Sequence, residues 1–389
     1  MRNDICKVVN GVRWTADGKQ QPLSISAFIR CQLCPLLILL WQRMQLATDS
    51  FCVLTFFSFL FFLSSCQSKI TETTPAFYHW QTKLSLSQRE HAYLDELSTS
   101  TLYIKFFDVD WDFNRQEPTA LAILIVADNL PKNLAIIPTV FITNRTLVQI
   151  EATAIPDLAQ KIAQKLKGQI ADVDRSFEEV QFDCDWTVST KNKYFQLLQL
   201  LKKELPTTTN LSATIRLHQI KYLEKTGIPP VNRGMLMYYN MGEVQQLTTN
   251  NSILDNAIGQ KYIDRLGEYP LPLDVALPLF QWGVLFRNDK MIKLLNQLTE
   301  QDLADRQRFN KVSENRWEVV KSTYLDGVYL YAGDWIRLEK SEIEDLKIAT
   351  NLLQQYLKKE DRRMAFYHLD SAVVAQYPVD FLRSLLLIP

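Results

Sequence analysis

The chain has 389 residues and carries 43 basic and 43 acidic side chains, so its formal net charge is zero. This balance argues against the broad basic surface of a nucleic-acid-binding protein. Hydrophobic residues make up 47% of the sequence, which is ample for a core. Glycine is scarce, with 11 residues, and neither a GxGxxG nor a Walker sequence occurs, so no glycine-rich phosphate loop is predicted.

Near the N-terminus, residues 51–65 form an apolar, phenylalanine-rich run that is too short to cross a bilayer comfortably. The run leads into the tetrapeptide LSSC at 63–66, and a polar segment follows. This order resembles a bacterial lipoprotein signal, in which the cysteine is lipidated and becomes the mature N-terminus. The resemblance implies a signal peptide over residues 44–65, lipidation of Cys66, and a tether over residues 66–75. The chain is then expected at the bacterial cell envelope, anchored by lipid in the outer membrane.

The segment before that cysteine departs from such a signal. Met44 lies at a suitable distance from Cys66, but no lysine or arginine stands between them, and Asp49 does. Residues 1–43 are therefore an N-terminal extension, which is either an over-long gene model or the source of the basic flank. A signal anchor retained in the membrane is the alternative. Beyond the signal, Cys184 is the single cysteine, so the mature domain cannot contain an internal disulfide.

From residue 76 onward, short apolar strands alternate with amphipathic helices. Strands are predicted at 76–80, 101–112, 134–150, 178–187, 211–217, 234–241, 274–280 and 363–370. Helices are predicted at 87–97, 155–166, 191–201, 253–266, 291–298, 341–359 and 379–387. The alternation predicts an α/β protein with the (β/α)₈ TIM-barrel fold over residues 76–389. Between the seventh strand and its helix, residues 284–340 do not follow this alternation of strands and helices. They are predicted to form a small insertion with a short helix and hairpins.

The predicted fourth strand carries the most informative pattern. Read with a period of two, its apolar residues face the helices, and these are Val180, Phe182, Cys184 and Trp186. The other face carries Gln181, Asp183 and Asp185. Carboxylates on an inward face are costly to desolvate unless they meet partners or line a wet cleft. A buried, hydrogen-bonded pair fits the pattern, and a cleft at the C-terminal end of the strand is the favoured interpretation.

Four of the predicted strands carry motifs that resemble those of family-18 glycoside hydrolases, which include chitinases. The sequence DCDWT at 183–187 is similar to the end of that family's DxxDxDxE motif. The sequences MYYN at 237–240, ALPLF at 276–280 and FYHLD at 366–370 are similar to its MxYD, GxPxY and FWxxD motifs. A lobe inserted after the seventh strand is also found in that family. The resemblance implies a TIM barrel with a glycan cleft at the C-terminal ends of its strands.

The chemistry implied by this resemblance is incomplete. Thr187 stands where the family has its general acid, a glutamate, and Asn240 stands where it has an aspartate. A threonine hydroxyl cannot serve as an acid with a pKa near neutrality. Asp183 and Asp185 are the retained carboxylates. Glu243, just after the sixth strand, and Asp183 are the candidates for a relocated acid.

Further polar and aromatic residues near predicted strand ends complete a candidate sugar site, since aromatic rings offer an apolar face and tyrosine adds a hydroxyl. These residues are Trp80, Tyr239, Asn240, Trp282, Tyr367, His368 and Asp370. The leading hypothesis is an envelope lipoprotein that binds or processes a glycan with a barrel lacking the usual acid. An active hydrolase with a relocated acid and a non-catalytic scaffold are the alternatives. Neither a metal nor a cofactor is expected, because no ligand set has convincing spacing.

Overall fold

In the computed structural model, the described residues are 12–14, 20–22, 72–128, 130–173, 177–296 and 298–386. The chain divides into two compact units, Met1–Lys69 and Ile70–Pro389. In the first unit, the short strands Val12–Trp14 and Gln20–Pro22 pair antiparallel. The predicted signal peptide and Cys66 lie outside the described residues, and so does most of the predicted tether.

Eight parallel strands of the second unit form a closed barrel. Each strand pairs with the next in chain order, and the last pairs with the first. The strands are β1 (Thr73–His79), β2 (Thr101–Asp112), β3 (Ala135–Ile142), β4 (Glu179–Asp183), β5 (Asn210–Arg216), β6 (Arg233–Met237), β7 (Leu273–Pro278) and β8 (Arg362–Tyr367). The predicted TIM barrel is thereby confirmed. β1 begins at Thr73, so the last residues of the predicted tether belong to the barrel.

Helices of very different length connect these strands. They are α1 (Gln88–Glu96), α2 (Asn144–Gln149), α3 (Ile155–Val173), α4 (Lys191–Glu204), α5 (Leu217–Lys221), α6 (Leu223–Thr226), α7 (Asn256–Gly259), α8 (Ile343–Tyr356), α9 (Ser371–Val374) and α10 (Val379–Leu386). Single 3₁₀ turns occur at Ala152–Ala154 and Leu266–Glu268. No helix within the described ranges is both long and apolar enough to cross a membrane.

The outer face of β4 follows the predicted alternation and packs against the helices. Trp186, just beyond the strand, is fully buried and stacks on Tyr194 of α4 with ring centroids 5.2 Å apart. The Tyr194 hydroxyl donates to the carbonyl oxygen of Phe182 at 3.1 Å. On the inner face, Gln181 accepts a hydrogen bond from the Tyr78 hydroxyl of β1 at 2.6 Å across the barrel. The two faces of β4 therefore separate an apolar layer from a polar interior.

Charged residues close the N-terminal end of the barrel. Asp274 of β7 is 1% exposed and lies between two arginines, with Arg233 Nε at 2.9 Å and Arg363 Nε at 3.1 Å. Arg363 also reaches Glu179 of β4 at 2.6 Å. Four carboxylate and guanidinium groups thus satisfy one another where water is largely excluded, which is the condition for keeping such charges buried.

A lobe made of antiparallel strands lies in the chain between β7 and α8. Its five-stranded sheet contains Gln281–Arg287, Lys290–Asn296, Phe309–Ser313, Arg316–Val319 and Trp335–Lys340. A hairpin adds Thr323–Leu325 and Val328–Leu330. The lobe has an apolar core of its own, which includes Leu285, Trp317 and Ile336.

Three sequence predictions of secondary structure are wrong. Residues 291–298 do not form a helix, because Asn288 and Asp289 adopt left-handed φ angles of 49° and 61° and turn the chain into a hairpin strand. The third strand ends at Ile142, since Thr143 caps helix α2. Between 253 and 266 the only regular element described is the short helix α7. Gly259, its last residue, packs so closely on Tyr238 that a Cβ would lie 2.5 Å from the hydroxyl.

The charged layer gives a stability prediction. Arg363→Met leaves Glu179 without its arginine and removes one of two partners of Asp274. We expect a loss of about 3 kcal/mol in the free energy of unfolding, measured by urea denaturation, because uncompensated buried charge is costly. Lys347→Met is the control, since Lys347 forms an exposed pair with Glu344 on α8. It should change stability by less than about 0.5 kcal/mol. Equal effects of the two substitutions would contradict the assigned role of the layer.

Candidate functional site

A cavity of about 410 Å³ opens at the C-terminal ends of the barrel strands, where TIM barrels carry their sites. The lining residues lie at or just after the ends of seven strands and in the first strands of the lobe, except Val373, which belongs to α9. They are Trp80, Phe141, Asp183, Asp185, Arg216, Tyr239, Asn240, Phe280, Gln281, Trp282, Asn296, Tyr367, His368 and Val373. The structure therefore brings together eight of the residues singled out in the sequence, which are Trp80, Asp183, Asp185, Tyr239, Asn240, Trp282, Tyr367 and His368.

Asp183, the last residue of β4, forms the floor of the cavity and is 5% exposed. One carboxylate oxygen accepts a hydrogen bond from the Thr214 hydroxyl of β5 at 2.6 Å. Burial raises the pKa of Asp183 to about 6, although the positive charge of Arg216 opposes this rise and Asp185 adds to it. The carboxyl group therefore exchanges its proton closer to neutral pH than an exposed aspartate does.

Asp185 is held by an ion pair that the sequence analysis did not predict. The Nε atom of Arg216, at the end of β5, donates a hydrogen bond to the Asp185 carboxylate. Arg216 also lies over the ring of Tyr239, with its guanidinium carbon 5.7 Å from the ring centroid. A signal for Arg216 exists in the sequence, since strand alternation places it on the same inward face as Ser212 and Thr214. Its partner could not be identified without the register of β4 and β5.

Aromatic rings form most of the remaining wall. Tyr239 and Tyr367 stack with centroids 5.5 Å apart, and Phe280 meets both rings edge-on at 5.9 and 5.6 Å. Trp282 lies beside Phe280 at 5.1 Å, while Trp80 contacts Tyr367 at 5.6 Å. The wall is continuous from the end of β1 to the lobe, and it offers apolar ring faces next to the charged pair.

Two histidines lie at the ends of β1 and β8. Burial lowers the pKa of His79 to about 4, with a further decrease from nearby His368. Burial likewise lowers the pKa of His368, which lines the cavity. Both rings are therefore neutral at physiological pH. Across the described ranges, no group of three or more His, Cys, Asp or Glu side chains could hold a metal ion.

Three residues proposed from the sequence take other places. Glu243 is exposed and does not line the cavity. Asp370 accepts hydrogen bonds from the backbone of α9 and from Gln81, so it acts as a helix cap rather than a cavity residue. Thr187 is exposed, and its hydroxyl lies 2.9 Å from the Ser189 hydroxyl and 3.2 Å from that of Thr190, just before α4. It borders a second cavity of about 430 Å³ that shares Asp185 and Arg216 with the first.

The raised pKa of Asp183 predicts a specific pH dependence of stability. As pH rises from 4 to 6, the unfolded chain releases the Asp183 proton while the folded chain retains it, so folding loses stability. Asp183→Asn removes this titration. The free energy of unfolding of Asp183→Asn minus that of the parent should therefore increase by up to about 3 kcal/mol between pH 4 and 6.5. The opposite titration of His79 is present in both proteins and cancels in the difference.

Urea unfolding at both pH values measures this quantity. Asp380→Asn, at an exposed position on α10, is the matched control and should give a difference that does not vary with pH. A difference that is also constant for Asp183→Asn would show that the Asp183 carboxyl titrates normally.

Several solved structures are similar to this chain. The spore cortex-lytic enzyme SleL from Bacillus cereus is 12% identical, with a TM-score of 0.49 over 82% of this chain and 74% of that one. A chitinase from Chromobacterium violaceum is 12% identical, with a TM-score of 0.46 over 78% of this chain and 97% of its own. The chitinase-like agglutinin from Robinia pseudoacacia is 10% identical, with a TM-score of 0.46 over 80% and 98% of the two chains.

No family model matches the sequence, and no curated protein matches it significantly. Because these TM-scores lie below 0.5, the fold assignment stands on the strand pairing itself. The residues of the four motifs lie at the ends of β4, β6, β7 and β8, and their side chains contribute to one cavity. The closed ring of eight parallel strands gives the chain the TIM-barrel fold, and the residues that resemble the family-18 motifs lie at the C-terminal ends of its strands.

Proposed function

We propose that this protein binds an N-acetylated glycan in the barrel-end cavity and does not cleave it. The proposal rests on one observation: an aromatic wall lies beside two carboxylates, of which one is ion-paired and the other is buried. Asp183 and Asp185 are the carboxylates among the described lining residues. Ring faces of the kind supplied by Trp80, Tyr239 and Trp282 suit the apolar faces of sugars.

Cleavage of a glycosidic bond needs more than this cavity supplies. Most glycoside hydrolases place two carboxyl groups on either side of the scissile bond, and one of them donates a proton to the leaving oxygen. Here the Asp185 carboxylate is engaged by Arg216, and Asp183 lies at the buried floor beneath it. Thr187 stands where the related family has its acid, and its hydroxyl group lies among other hydroxyl groups of its own loop. The cavity is therefore suited to retention of a sugar chain.

A relocated acid is the less favoured alternative. Glu243, its candidate, is exposed on the segment after β6 and is absent from the cavity lining. A general acid has to come within hydrogen-bonding reach of the proton it transfers, directly or through one water. A scaffold without any ligand gives no reason for six aromatic side chains to line one cavity.

Anchoring at the bacterial envelope is the second part of the proposal. It rests on the LSSC sequence and the polar residues that follow Cys66. A lipid attached there would hold the barrel close to the membrane surface, within reach of cell-wall glycans. The outer membrane is the proposed location.

Glycan binding gives a direct test with chitotetraose, an oligomer of N-acetylglucosamine. We expect the parent protein to bind this probe in isothermal titration calorimetry. Trp282→Ala should weaken binding about thirtyfold, because truncating a central aromatic contact typically costs about 2 kcal/mol. Tyr324→Ala, on an exposed ring of the lobe hairpin, should leave affinity unchanged. Hydrolysis of the probe should stay at the background rate. If the parent hydrolyses it rapidly and Glu243→Gln abolishes that activity, the binding proposal is wrong and the acid has moved.

Lipidation is tested by metabolic labelling with a radioactive fatty acid in a bacterial host. The parent chain should incorporate the label and partition with membranes, whereas Cys66→Ala should do neither, because it lacks the thiol that carries the lipid. Cys52→Ala changes a cysteine within the apolar run and should retain the label. Equal labelling of the parent and Cys66→Ala would rule out the proposed anchor.

A further inference from the structure

We propose that Glu339, a buried residue of the inserted lobe, positions Trp282 so that the cavity presents the ring of this tryptophan and not its indole N–H. The inference rests on the proposed glycan-binding function and names a residue that controls the geometry of the same site. Glu339 does not line the first cavity, so its effect on a ligand has to pass through Trp282.

The link between the two residues is a direct cross-strand contact. Trp282 and Glu339 lie opposite each other in the antiparallel pair formed by Gln281–Arg287 and Trp335–Lys340. The indole Nε1 of Trp282 donates a hydrogen bond to Glu339 Oε2 at 2.8 Å. The ring of Trp282 also packs on Phe280, 5.1 Å away. The hydrogen bond and the ring contact together restrict rotation of the indole about its side-chain bonds.

Glu339 is itself firmly held. It is 1% exposed, and its Oε1 accepts a hydrogen bond from Arg337 Nε at 2.5 Å. Its Oε2 also accepts from the backbone N–H of Ser252 at 3.0 Å and from the Ser252 hydroxyl at 2.5 Å. A buried carboxylate with this many donors has a fixed orientation, because any rotation would leave charge unsatisfied.

The same cluster also contacts the segment that follows β6, the strand that pairs with β7. Arg337, fully buried, donates to the carbonyl oxygens of Val244 at 2.9 Å and Gln246 at 2.5 Å. This segment begins at Asn240, which lines the cavity, and returns to Ser252. One Arg–Glu pair therefore connects Trp282 of the lobe with the β6 segment, and both contribute to the cavity lining.

The indole N–H of Trp282 is already engaged in a hydrogen bond with Glu339, and this limits what Trp282 can offer to a ligand. The single donor of the Trp282 side chain points to Glu339, so a ligand meets the apolar ring and cannot gain a hydrogen bond from it. Trp282 therefore selects for the apolar face of a pyranose ring. Substituents that require a donor must be satisfied elsewhere, and Arg216, Asn240 and Asn296 are lining residues that carry N–H donors.

The positioning role has a test that does not need a glycan. In the full chain labelled with ¹⁵N-tryptophan, Trp282→Phe identifies the Trp282 indole signal by its loss. Glu339→Asp keeps the charge beside Arg337 but shortens the reach toward Trp282. We expect it to shift this signal and to speed exchange of the indole proton with water about tenfold. Glu342→Gln, at the exposed end of an ion pair with Lys340, should leave the signal in place. An unchanged Trp282 signal in folded Glu339→Asp overturns the proposal.

A double-substitution cycle with chitotetraose then separates positioning from general destabilisation. Glu339→Asp should weaken binding about tenfold in the parent background, since one hydrogen bond to a charged group is lost from the wall. In the Trp282→Phe background, where the indole N–H is already absent, the same change should alter affinity by less than twofold. An equal loss in both backgrounds would assign Glu339 a purely structural role.

The outcomes also separate this inference from the proposed function. If the parent protein fails to bind chitotetraose, the glycan proposal fails, while the indole signal still decides whether Glu339 fixes Trp282. If Glu339→Asp does not fold, Glu339→Gln replaces it in both experiments. The charged donor of Arg337 is expected to take the single amide oxygen, which leaves the amide nitrogen opposite the Trp282 N–H and shifts the Trp282 signal.

Discussion

The ion pair between Asp185 and Arg216 joins the segment after β4 to the end of β5, and the character of the cavity depends on it. Among the described lining residues, Arg216 is the only lysine or arginine. Its charge compensates one carboxylate and lies close enough to the other to oppose the rise in the pKa of Asp183. Without Arg216, buried Asp183 would lose the positive charge that opposes the rise in its pKa, so its carboxyl group would hold its proton more strongly.

Buried polar groups need ionic or hydrogen-bonding partners, and this requirement also explains the contacts inside the barrel below the cavity. At the N-terminal end, Asp274 is placed between Arg233 and Arg363, while in the middle the Tyr78 hydroxyl satisfies Gln181. In both places, polar groups from different strands meet one another. Since these contacts connect strands distant in the chain, they favour one register of the closed barrel over its alternatives.

The barrel could be predicted because alternation along each strand distinguishes an inner face from an outer face. Trp186 was assigned to the helix side by alternation alone, and it stacks on Tyr194 of α4. The placement of Tyr239, Tyr367 and His368 at one end followed from the direction of parallel strands, which all finish at the same rim. Such inferences use only neighbouring residues and the period of a strand. Glu243 shows their limit, because closeness to the end of a strand does not decide whether a side chain turns into the cavity.

Contacts between distant segments lie beyond that kind of inference. Asp185 and Arg216 are 31 residues apart, and Trp282 and Glu339 are 57 residues apart. Their pairing depends on strand register, which in the lobe is set by local turns such as the left-handed pair Asn288 and Asp289. The apolar residues after that turn suit a helix as well as a strand, so the turn alone decides between them. The hairpin pairs Trp282 with Asn296, while Glu339 reaches Trp282 from the strand on the other edge of Gln281–Arg287. The local turn therefore accounts for one neighbour of Trp282, and the contact with Glu339 depends on a pairing between segments farther apart in the chain.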